Sequence, residues 1–186
     1  GGHLDVVAAL LSAGAAVDLA RTDSGATPLL IACQEGNEEV VALLISAGAA
    51  VDQARNDGIT PLLFASDRGR TAIVAALCSA GAAINQGVQG ATPLRYACAR
   101  GRLRCVQVLS SFGATRDPNA QVQAAYAGHA DIATWLATSR QWSTPRHRRC
   151  VIGAERARAR LRDGADLHAR ADAAGPTPLS LARALR

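Results

Sequence analysis

The chain has 186 residues, 20 of them basic and all of those Arg, against 15 acids, for a formal net charge of +5. Nearly half of it is apolar but only six residues are aromatic, so a core must be assembled from small and branched side chains. No run approaches the roughly 18 uncharged apolar residues of a membrane helix, and the first residues carry no charged-then-apolar leader pattern.

In chain order, residues 1–21 read as one apolar helix, HLDVVAALLSA, set between Gly2 and Gly14. The next segment, TPLLIACQEG from Thr27, predicts a short helix. Thr supplies a hydroxyl that accepts from an orphan N–H, and Pro suits the first helical position. The apolar residues run nearly all round this helix, as expected of an element covered on both sides. Gly36 ends it with a left-handed cap. A second helix follows over NEEVVALLISA, with acids in the first turn, where the helix dipole favours them. Val40, Val41, Leu43, Leu44 and Ile45 are its expected buried side, and Gly48 its stop. The chain then returns through an extended segment to a turn at Asn56-Asp57-Gly58.

The same wording recurs down the chain, and internal repetition of this kind outranks any single helix prediction. Thr-Pro-Leu stands at Thr27, Thr60, Thr92 and Thr177, and Thr-Pro alone at Thr144. A glycine follows nine residues after the first three and after Thr144, at Gly36, Gly69, Gly101 and Gly153. Gly-Ala follows at Gly48, Gly81 and Gly113. Around Gly128 the Thr-Pro pair aligns with Asn119-Ala120. Thr-Pro spacing then falls from 32–33 to 27 and 25 residues, so two turns must be shortened, with Trp142 where Gly25, Gly58 and Gly90 stand elsewhere.

This set of motifs resembles the ankyrin repeat. The resemblance implies an all-α solenoid in which paired helices stack and the turns project as β-hairpin-like fingers. One unit cannot bury its apolar faces alone, so the next unit serves as cover. We expect a single domain over 1–186. It divides into a half unit 1–21, units 22–54, 55–87 and 88–116, degenerate units 117–141 and 142–170, and a half unit 171–186. Because both ends cut a unit, the chain is expected to be a piece of a longer protein. The histidine usual after Thr-Pro-Leu in the family is Leu30, Leu63, Arg95 and Ser180 here, and only His147 matches it.

The resemblance also implies a non-enzymatic protein–protein interaction scaffold or adaptor. Its partner would be met on the concave finger and first-helix surface. The corresponding positions are Arg21, Asp23, Ser24, Gln34 and Glu35, then Asn56, Asp57, Ile59, Asp67 and Arg68. Val88, Gln89, Arg100 and Tyr126 complete them. Ile59 and Tyr126 stand out as apolar or aromatic anchors of the kind found at hot spots. Trp135 aligns with Leu43 and reads as packing.

Other chemistry finds little footing. No nucleophile elbow, phosphate-cradling GxxxxGK or HExxH occurs. No catalytic, cofactor-binding or metal residue is expected, and no small-molecule ligand. His3 and His129 follow mid-unit glycines and read as structural, while His147 and His168 are scattered. Cys33, Cys78, Cys98, Cys105 and Cys150 form no CxxC pair. They read as buried small apolar groups in a reducing, intracellular compartment. Charge is uneven: residues 1–87 carry four Arg against nine acids, and residues 88–186 sixteen Arg against six. The stretch Arg146–Gly164 therefore supports an alternative, binding of nucleic acid or an anionic surface through the Arg-rich C-terminal half. That stretch lacks interleaved aromatics for stacking, which favours an acidic protein partner over nucleic acid.

Overall fold

The computed structural model describes residues 3–139, and these contain nine α-helices. They are α1 (Leu4–Ser12), α2 (Pro28–Glu35), α3 (Glu38–Ser46), α4 (Pro61–Arg68) and α5 (Thr71–Ser79), then α6 (Pro93–Ala99), α7 (Leu103–Ser111), α8 (Pro118–Tyr126) and α9 (Ala130–Thr138). Helices α2, α4, α6 and α8 pack on one another in sequence as one layer. Helices α1, α3, α5, α7 and α9 form a second, parallel layer. Each of α2, α4, α6 and α8 also packs on the helix that follows it, so the unit is a helical pair and the molecule a two-layer stack of such pairs. We number the pairs α2–α3, α4–α5, α6–α7 and α8–α9 as units one to four.

The helices begin and end where the repeated words place them. Thr27 Oγ1 accepts from Leu30 N at 3.2 Å, Thr60 Oγ1 from Leu63 N at 3.2 Å, and Thr92 Oγ1 from Arg95 N at 3.4 Å. Gly36 and Gly69 close their helices in the left-handed region, at φ 83° and 75°. Leu29, Leu30, Leu44, Leu62, Ile73, Leu77, Leu94 and Leu109 are buried in a core that runs through the whole stack. In α3, Val40, Val41 and Leu44 are buried as expected, whereas Leu43 and Ile45 are half-covered at its flanks.

Two ladders tie successive units together, and both repeat with the units. On one, Asp18 Oδ1 accepts from Ala50 N at 3.0 Å, Asp52 Oδ1 from Ala83 N at 2.8 Å, and Asn85 Oδ1 from Thr115 N at 2.7 Å. The acceptor always lies four residues after the Gly that follows the second helix. On the other, Arg70 Nη2 donates to Glu35 O and Arg102 Nε to Asp67 O, each at 3.4 Å. Their side chains lie against Gly36 and Gly69. A Cβ on Gly69 would sit 2.7 Å from Arg102 Cδ, so a substitution there would displace the Arg102 side chain as well as strain the positive φ. His129 occupies the same place over Gly101.

Unit four departs from the expected register. Its first helix starts at Pro118, and Asp117, not Asn119, supplies the cap, accepting from Asn119 N at 2.8 Å. Asp-Pro thus does the work of Thr-Pro, because an Asp side chain is as good an acceptor at this position. Only six residues, 112–117, join α7 to α8, against fourteen, 47–60, between α3 and α4. The finger at this junction is shortened as expected. The longer fingers are tight turns with little ladder pairing: Arg55 N donates to Ile59 O at 2.9 Å, and Val88–Ala91 is an isolated antiparallel bridge. The segments around His147, Cys150 and Arg146–Gly164 lie outside the described residues, as do the proposed units 142–170 and 171–186.

Candidate functional site

The helices α4 and α6 start from neighbouring fingers and run side by side, so residues four positions after Thr60 and Thr92 face the same way. Those residues are Phe64 and Tyr96, both half-buried. Ile59 approaches from the finger of unit two. Together with Leu63 they form an apolar depression of about 220 Å³, rimmed by Arg55, Asp67 and Arg100.

The polar rim is held by ion pairs. Arg100 Nε donates to Asp67 Oδ1 at 2.7 Å and links α6 to α4 across the groove. Arg55 forks onto Asp57 within the finger, with its Nε donating to Oδ1 at 3.0 Å. That guanidinium lowers the Asp57 pKa to about 2, mainly through the side-chain hydrogen bond. Arg68 lies 5.5 Å above the Phe64 ring and extends the wall beyond the apolar floor.

Of the positions expected from the sequence, Ile59, Asp67 and Arg100 line this groove, and Arg68 borders it. Asp57 braces its Arg55 rim. Val88 instead packs beside Gly58, and Gln89 occupies the tip of the next finger with φ 51°. Arg21, Asp23 and Ser24 close on themselves: Arg21 Nη2 donates to Asp23 Oδ2 at 2.7 Å, and Ser24 Oγ to Asp23 Oδ1 at 2.9 Å. The Asp23 pKa is held well below the usual carboxylate range by those two bonds, Arg21 first. Asn56 joins this finger to the next, its N–H donating to Ser24 O at 3.0 Å. Gln34 donates only to neighbouring Glu35, at 3.4 Å.

Tyr126 is 89% exposed, away from the groove, in an open patch on α8 with Gln121, Val122 and Ala125. Phe64, Tyr96 and Leu63 were not singled out by the sequence. The signal was present as an apolar residue four positions after each Thr, Ile31, Phe64 and Tyr96, but it merged with the core run beside it. Trp135, by contrast, packs against the core as expected, with Arg116 5.8 Å from its ring.

The described cysteines, Cys33, Cys78, Cys98 and Cys105, are all free and buried. Burial pushes the thiols of Cys33, Cys78 and Cys98 up to about 12. Among the described residues no cluster of His, Cys, Asp and Glu could hold a metal ion, and no helix is long and apolar enough to cross a membrane.

The family model described as ankyrin repeats (3 copies) matches residues 1–88 and residues 48–122. No curated protein matches the chain.

Proposed function

Because the chain belongs to the ankyrin-repeat family, whose repeats are generally protein–protein interaction modules, we propose that it is a non-catalytic binding scaffold. Its partner seats an apolar side chain between units two and three. The observation that carries this reading is the floor of Ile59, Phe64 and Tyr96, apolar side chains left half-covered inside a rim of Arg55 and the Asp67–Arg100 pair. Half-covered aromatics in a concave site are efficient anchors, since little side-chain freedom is lost when they are buried. The ion pairs keep the rim in place before a ligand arrives, which lowers the cost of ordering on binding.

Selection of a random peptide library on the full chain tests this. Recovered peptides are expected to carry one large apolar residue. Their affinity should fall at least tenfold on Ile59→Asp or Tyr96→Ala, as for loss of a buried anchor worth about 1.4 kcal/mol or more. Peptides that bind both variants as tightly as the unaltered chain would overturn the reading.

A further inference from the structure

The end of the stack where each first helix turns into its second lies opposite the fingers, and its charge changes sign between units. In unit one this end carries Glu35, Glu38 and Glu39. In units two and three it carries Arg68, Arg70, Arg100, Arg102 and Arg104, all exposed, against the single carboxylate of Asp67. Asp67 is already engaged by Arg100 at 2.7 Å and approached by Arg68 at 3.9 Å. Arg70 and Arg102 are fixed along the surface by their 3.4 Å bonds to carbonyls of the preceding unit.

Local charge does not offset this excess. Within the second layer, helices α1, α3 and α9 carry an acid in the first turn, but α5 and α7 carry none. Arg104 even stands in the first turn of α7, where the helix dipole disfavours a cation. A solvated face chosen only for stability would place Glu there.

We propose that this edge of units two and three, which shares Arg68 and Arg100 with the rim of the groove and continues past it to Arg70, Arg102 and Arg104, is a docking strip for an extended acidic segment of a partner protein. Equivalent guanidinium groups on neighbouring units are spaced by the packing distance of helices, about 8–10 Å. A segment in the polyproline II conformation advances about 3.1 Å per residue with three residues per turn, so acidic side chains three residues apart point the same way and match the strip. The acids of unit one repel such a segment and set where it ends. The aromatics beside the strip, Phe64 under Arg68 and Tyr96 near Arg100, are half-buried in the groove, and Arg70, Arg102 and Arg104 have none next to them in sequence, which favours a peptide over single-stranded nucleic acid.

The test uses the full chain and a fluorescein-labelled decapeptide with Glu at every third position, read by anisotropy. Saturable binding is expected, weakened about fivefold by Arg104→Gln and tenfold or more by the double change Arg102→Gln/Arg104→Glu, with melting temperature checked for each variant. Among the described residues Arg104 has no hydrogen bond or ion pair for the single change to break, whereas the double one also removes the Arg102–Asp67 bond, so the single variant keeps the test valid if the double one melts early. Three results overturn the proposal: no binding; loss on Arg156→Gln/Arg158→Gln in place of the edge variants; or equal or tighter binding of an oligothymidylate of the same charge.

Discussion

At the scale of single residues, the chain relies on glycines at positive φ and on acids locked to neighbouring arginines. Gly48 has φ 86° and no neighbouring atom where a Cβ would go, so a substitution there meets backbone strain alone. Gly48→Val is expected to cost about 2 kcal/mol, because a β-branched residue resists the left-handed region. Equilibrium denaturation measures it, and an unchanged midpoint would refute the cap. Asp57 gives a pH prediction with a definite sign. Its pKa is depressed to about 2 by Arg55, so the pair is complete above the ordinary aspartate value near 3.9 and is lost as pH falls through about 2. A carboxyl NMR titration should find a midpoint near 2; one near 4 would show the finger open. The pair is exposed, so its contribution is to finger geometry more than to stability. The buried thiols at about 12 predict that Cys33, Cys78 and Cys98 resist alkylation at pH 8 until the chain unfolds. Mass spectrometry after brief iodoacetamide treatment would contradict this if any of the three were modified in the native state.

At the scale of elements, most boundaries were legible because each is set by local chemistry: Thr-Pro starts, glycine stops and acids in first turns. Leu44, 2% exposed in the middle of α3, is the simplest check on the packing. Leu44→Ala is expected to cost roughly 2–5 kcal/mol, and a loss below half a unit would place it outside the core. What the sequence reading missed depended on neighbours. Asp117 is hidden as a cap because nine residues back from Gly128 is Asn119, and only the packing of α8 on α6 shows the earlier start. Arg95, at the place of the family's usual histidine, reaches forward instead, its Nε donating to Gln123 Oε1 at 3.0 Å. The Asp18, Asp52 and Asn85 ladder was equally hidden: its spacing is regular, but its acceptors act on the following unit. Asp52→Ala leaves Ala83 N without its partner. It should cost about 1 kcal/mol in thermal or chemical melts, and no change would mean that the ladder bond is idle.

At the scale of the whole molecule, stability comes from neighbours covering one another, so no unit is a separate body and the core runs through the described stack. That architecture leaves two kinds of surface free. The groove offers an apolar floor with a fixed polar rim, and the edge that continues from its Asp67–Arg100 side offers charge that turns from acidic to basic along the stack. The imbalance visible in the sequence halves, a net of −5 against +10, thus has a local counterpart in the change from Glu35 to Arg68 and Arg100. Amide NMR mapping of a peptide recovered against the full chain tests the central claim, that a partner lodges between units two and three, most directly. Shifts are expected to cluster at residues 55–59, 63–67 and 96–100; clustering on α5, α7 and α9, or on α8 around Tyr126, would contradict it.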